Sequence, residues 1–192
     1  MKRIMTAFFL LLCISLCGCR TAMDVSKAVA EKYQTGIEAL IQVSTLTGVP
    51  CDYRLQCVTS EKSTVTEILQ PESIAGIKAT VESETCRIEY TDLALDAMML
   101  PIRGMTPADC FDQTVFSLRQ EVPSQYSFEK QNEENCLCLT FSGETAGYRT
   151  TRIFWLKEKT LELLAGEYYL DDTLVMRMTV EAFAFTEHST TE

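Results

Sequence analysis

Between Tyr148 and Phe185 the chain reads YRTTRIFWLKEKTLELLAGEYYLDDTLVMRMTVEAFAF, three apolar-rich runs parted by two polar interruptions, Lys157-Glu158-Lys159-Thr160 and Asp171-Asp172-Thr173. Short runs rich in β-branched and aromatic residues, separated by turn formers, predict an antiparallel meander, because each polar cluster lets the chain reverse and pair with the run before it. In the third run Leu174, Met176, Met178, Val180, Ala182 and Ala184 share one parity, and Arg177, Thr179 and Glu181 the other. Successive strand side chains point to opposite faces, so the expectation is a sheet with one dry face and one largely wet one.

The same period of two recurs upstream. Ile37, Ala39, Ile41, Val43 and Thr45 alternate with Glu38, Gln42 and Ser44. Val25, Ala28, Val29 and Tyr33 also fit a helical period, so the expectation is a brief helix to about Lys32 and strand afterwards. Further strands are expected at 52–59, at 64–70 ended by Pro71, at 77–82 and at 87–90, with 92–100 covering or crossing the sheet. A helix is predicted from Pro107 to about Glu121, with Thr106 as N-cap, Asp109 at its positive end, Phe111, Val115 and Leu118 as its apolar stripe, and Pro123 as its stop. Strands at 126–130 and 135–141 lead into the meander. Together these give an α+β chain that is mostly antiparallel β, with about ten strands curved around a helix on the concave side.

The succession Arg152-Ile153-Phe154-Trp155-Leu156, a Lys/Thr turn, Leu161 to Leu164, Ala165-Gly166-Glu167-Tyr168-Tyr169, a two-Asp turn and Leu174-Val175-Met176-Arg177 resembles the C-terminal hairpins of the LolA/LolB-like lipoprotein-sorting fold. Within it, the chain is most similar to spore-germination lipoproteins of the GerS type. Pro71 to Ile77 resembles the proline-to-glycine crossing of those chains, and the likeness runs back to about Tyr33. The resemblance implies a LolA/LolB-like curved half-barrel.

The N-terminus sets the compartment. Lys2 and Arg3 precede the apolar run 7–16, too short for a permanent span and suited to a signal sequence, which ends in Leu16-Cys17-Gly18-Cys19. This resembles a bacterial lipobox. Cys19 is favoured over Cys17 as the lipidated residue because it places Gly18, not bulky Leu16, at the cleavage position. The expected organisation is a signal peptide over 1–18, a lipidated tether over 19–30, the half-barrel over 31–186 and a disordered tail over 187–192. Acyl chains, diacylglycerol and palmitate among them, would hold the protein at the outer face of the cell membrane. Formal net charge is −10, and loss of Lys2 and Arg3 leaves 15 basic against 27 acidic residues, about −12. So negative a surface repels nucleic acid and favours basic proteins or neutral, apolar ligands as partners.

No catalytic signature emerges. His188, the one histidine, lies in the tail, where neither a Ser-His-Asp site nor a His-based zinc site is supported. Asp171-Asp172 reads as a turn, Glu133-Glu134 as a solvated loop, and Glu167 as a cross-strand partner of Arg152 or Arg177. Beyond Cys19 the mature chain holds Cys51, Cys57, Cys86, Cys110, Cys136 and Cys138, an even set that fits three disulfides or six buried free thiols. Cys136 and Cys138 point the same way on one strand, which suits neither a bridge between them nor a C-x-x-C redox site. Neither cofactor nor metal is expected, and catalysis by a carboxylate or by Cys110 is the least favoured reading. Ile41, Leu55, Leu139, Phe141, Phe154, Leu163, Met176 and Met178, with Trp155, Phe183 and Phe185, are candidates to line an apolar cavity on the concave side, or to be core. Two functions follow. The GerS-type resemblance implies a non-enzymatic lipoprotein that supports a cortex amidase through protein contact, whereas the carrier fold implies an acyl-chain carrier or sensor. An unclosed sheet leaves an edge through which a dimer could form.

Overall fold

A computed structural model describes residues 22–98, 102–131 and 133–186; Cys19, the signal sequence, His188 and the tail lie outside the described residues. Helix α1 (Ala22–Tyr33) precedes strands β1 (Gly36–Thr45), β2 (Cys51–Thr59), β3 (Ser63–Gln70), β4 (Lys78–Glu82), β5 (Thr85–Tyr90) and β6 (Leu93–Met98). Helix α2 (Cys110–Gln120) then leads to β7 (Gln125–Gln131), β8 (Glu134–Thr145), β9 (Tyr148–Lys157), β10 (Leu163–Leu170) and β11 (Thr173–Thr186). All eleven strands form one open antiparallel sheet in the order β6-β5-β4-β3-β2-β1-β11-β10-β9-β8-β7. Two meanders thus meet where β1 pairs with β11. Because β6 and β7 are opposite edges, α2 lies on the path that joins them, and it packs with α1 over the dry face.

That face carries the core. Ile37, Ile41, Leu55, Phe154, Leu156 and Met178 are fully buried there, beneath Val25, Val29 and Tyr33 of α1 and Phe111, Val115 and Leu118 of α2. The apolar residues of α1 recur every four positions and those of α2 at steps of three and four, so each helix turns one stripe to the sheet. Among the described residues no helix is long and apolar enough to cross a membrane.

The β10–β11 turn is as expected, with Asp171 and Asp172 at φ 46° and 63°, a left-handed conformation that Asp tolerates better than most residues. Four expectations change. First, Val25, Val29 and Tyr33 are at most 5% exposed, so the packed domain begins within the expected tether, at Ala22, not at residue 31. Second, the segment after Asp92 does not cover the sheet: a reversal at Thr91, φ 53°, folds it back as edge strand β6 in register with β5. Third, α2 starts at Cys110. The buried carboxylate of Asp109 accepts the N–H groups of Gly104 (2.7 Å) and Thr106 (3.0 Å), holding a turn ahead of the helix that replaces the expected Thr106 cap.

Fourth, β11 changes face. Leu40 pairs with Ala182 but Ile41 pairs with Val180, so Glu181 is an extra residue, a β-bulge. Beyond it Ala182 and Ala184 are exposed while Phe183 and Phe185 turn to the core and pack on Tyr33, with ring centroids 6.1 and 5.3 Å away. On the wet side Glu181 pairs with Arg54 (2.8 Å) and Gln42 (2.7 Å).

Candidate functional site

The eight residues proposed from sequence to line a cavity come together in one core cluster, each at most 3% exposed. Phe154 is centred 5.6 Å from Phe141 and 5.8 Å from Tyr168. The ring lies against Gly166, where an added Cβ would come within 3.1 Å of Phe154 Cδ1 and 3.0 Å of Met178 Cε. Trp155 points the other way, and its indole N–H donates to Glu129 across β8 (2.8 Å). Arg152 is buried beneath α2, donating to Ser117 Oγ (2.9 Å) and Glu121 Oε2 (3.1 Å), so Glu167 takes Arg177 as its partner (2.9 Å).

The open apolar space is beside these residues. Phe128, on edge strand β7, is half-exposed at 53%. Phe128 and its cross-strand neighbour Leu137 form the floor of a cleft of about 480 Å³. Val25, Ala28 and Val29 form one wall and Leu161 of the β9–β10 turn another, with Asp24, Glu158 and Lys159 also at the cleft. Tyr33 O–H donates to the Leu161 carbonyl (3.0 Å) and Ser26 Oγ–H to the Glu121 carbonyl (3.2 Å), fixing α1 at both ends of its packed stripe. Sequence reasoning missed this site. The signal was the helical period of Val25, Ala28 and Val29, in a stretch assigned mostly to the tether.

Reactive groups are not gathered here. All six cysteines of the described domain are free thiols, and Cys51 alone of them is not buried. Burial pushes the Cys57 thiol up to about 12, against a weaker opposing hydrogen bond with Thr66. Cys138 is also pushed up to about 12, by burial and then by Glu129, and burial raises Cys86 and Cys110. Such thiols hold their protons at neutral pH, and the thiolate is the nucleophile. Among the described residues no group of three or more His, Cys, Asp or Glu is arranged to hold a metal ion.

No protein-family model matches the chain, and no curated protein matches it in sequence. Solved structures do resemble it. A conserved protein from Thermus thermophilus overlays with a TM-score of 0.56 at 11% identity, covering 87% of this chain and 89% of that one. A DUF1329 family protein from Desulfovibrio piger gives 0.52 at 10% identity, covering 85% and 91%. A LolA superfamily protein from Nitrosomonas europaea matches at 11% identity over 84% and 94% of the two chains, with a looser TM-score of 0.39. The first two overlays show the fold shared across chains with little sequence in common. An open antiparallel half-barrel with helices on its concave face is the architecture that the LolA/LolB resemblance implies.

Proposed function

We propose that this protein is a membrane-anchored, non-enzymatic binding protein of the extracytoplasmic face, which holds an acyl chain or another apolar ligand in the cleft under α1. The cleft carries the reading. Its volume of about 480 Å³ lies within the roughly 300–1,000 Å³ of small-molecule sites, and an apolar floor with a charged rim suits a ligand that has a greasy chain and a polar end. Ligand atoms seated on Phe128 would remove an aromatic ring from water.

The anchor strengthens the reading. If Cys19 bears the lipid, Asp24 follows five residues later, at most about 18 Å of extended chain, so the cleft opens close to the leaflet that would supply the ligand. Mass spectrometry of the intact protein, purified from membranes under native conditions, tests this: an adduct of acyl-lipid mass, additional to any lipid on Cys19, is expected. A protein that carries none and takes up none from added fatty acid would contradict it.

A second reading has its own support. The open β6 edge exposes Leu93 (73%) and Leu95 (63%), a surface that a protein partner would cover, and the GerS-type resemblance points to a cortex amidase and a role in sporulation or germination. Capture of such an amidase, lost when Leu93 and Leu95 become Lys and retained when the cleft is filled, would favour this reading over the carrier.

A further inference from the structure

We infer that a second, polar pocket, between α2 and the β2–β3 turn, binds a single phosphate group. The pocket holds about 200 Å³, too small for a chain and large enough for one phosphate or a small ester of it. Its donors converge from four parts of the fold: Ser63 of the β2–β3 hairpin, Ser83 of the β4–β5 turn, Arg103 of the segment before α2, and Arg119 of α2 itself. Phosphate has several acceptor oxygens around one centre, and donors that arrive from separate elements can reach different ones.

Arg103 provides the sharpest indication. Its Nη2 donates to Asp112 Oδ2 at 2.7 Å, while its Nε is buried and has no hydrogen-bond partner among the described residues. A buried guanidinium donor without an acceptor is costly, and because the Arg103 side chain is itself partly exposed at the pocket, a small turn of it would bring Nε to an anion held there. Arg119 stands differently. Its three hydrogen bonds go to backbone carbonyls, from Nε to Tyr33 (2.6 Å), from Nη1 to Ser60 (3.1 Å) and from Nη2 to Thr35 (3.0 Å). These bonds leave its charge in place. Asp112 is engaged by Arg103 and by Thr64 Oγ (2.8 Å), and with Glu61 it sets two carboxylates against Arg103, Arg119 and Lys62. The lining side chains carry three positive charges against two negative ones in a chain of net charge −10, and the third carboxylate nearby, Asp109, is turned away onto the N–H groups of Gly104 and Thr106.

Arginine Nε–Hε resonances of the full chain in detergent, followed by NMR as inorganic phosphate is added at constant ionic strength, test the inference. The Arg103 Nε signal is expected to move and saturate at millimolar phosphate, and chloride is expected not to reproduce the movement. Arg103→Lys, which keeps the charge, should weaken binding about tenfold, read from the Arg119 signal. Ser83→Gly removes one hydroxyl at a residue with φ of 52°, where glycine sits without strain, and should weaken it a fewfold with the fold intact. Phosphatidylglycerol mixed into the detergent micelles that competes with inorganic phosphate, where phosphatidylcholine does not, would identify the source as an anionic lipid headgroup; no competition would identify free phosphate or a soluble ester. An unmoved Arg103 signal, an equal response to chloride, or wild-type affinity in both variants would overturn the inference.

Discussion

Phe154 and Phe128 both face the concave side, one as core and the other as the floor of the cleft. Phe154 is fully buried, ringed by Phe141 and Tyr168 and pressed on Gly166, so Phe154→Ala loses both transfer energy and packing. Phenylalanine truncations at such sites cost about 3–5 kcal/mol. With urea slopes near 2 kcal/mol per molar, the unfolding midpoint should fall by about 2 M. Phe128 is 53% exposed, and Phe128→Ala should cost under about 1 kcal/mol, a shift below about 0.5 M. The assay is built in: Trp155, the one tryptophan, sits on β9 beside Phe154 in sequence but on the opposite face, so its fluorescence reports unfolding without being part of either site. Equal midpoint shifts, or a larger shift for Phe128→Ala, would show that core and cleft have been assigned the wrong way round.

Deleting Glu181 removes the bulge but keeps Phe183 and Phe185 on the dry face, because Ala182 then follows Val180 with its pairing to Leu40 intact; only the pairs with Arg54 and Gln42 are lost, about 1 kcal/mol or less in urea unfolding, whereas one Ala inserted between Ala182 and Phe183 turns both rings to the wet face and should cost about 2–4 kcal/mol. The pH dependence has a defined sign. Cys57 is raised from the ordinary 9.0 to about 12, so its contribution is full below pH 9 and is lost as pH climbs toward 12, because the unfolded chain releases a proton that the folded one keeps. By about pH 10 roughly 1.4 kcal/mol should be gone, and unfolding midpoints of Cys57→Ala should fall less steeply over the same range. Thiol labelling should modify partly buried Cys51 in the native protein and Cys57 or Cys110 only after denaturation. Cys19→Ala should move the protein from the membrane to the soluble fraction, with no labelled fatty acid incorporated.

The meander was legible because period two and turn chemistry are local: Ile153, Phe154 and Trp155 alternate whatever the sheet does next. Features that depend on partners were not. One extra residue at Glu181 leaves composition unchanged, and Ala182 and Ala184 are apolar enough to hide the change of face. Residues 93–98 carry the leucines of a covered strand, yet Leu93 and Leu95 are exposed, since sequence does not say which strand ends a sheet. The first helix was half read. Its stripe of Val25, Val29 and Tyr33 is short, and the helix gains its stability from the sheet beneath it rather than from its own propensity. The cleft was hidden for the same reason: core and cavity use the same residue types, and where a helix stops covering the sheet is a matter of packing. Arg152 was legible as a paired charge, but its partners are Ser117 of α2 and Glu121 just after it, not a residue of the neighbouring strand.

Titration of the full chain with a fluorescent fatty acid, repeated with Ala28→Trp, decides whether an apolar chain is held under α1. Ala28 is exposed on α1 and lines the cleft, so an indole there fills the space without disturbing Val25 or Val29. The unaltered protein should take up the fatty acid saturably and Ala28→Trp should not, with the unfolding midpoint unchanged. Uptake that persists with the cleft filled, or no uptake by the unaltered protein, would contradict this.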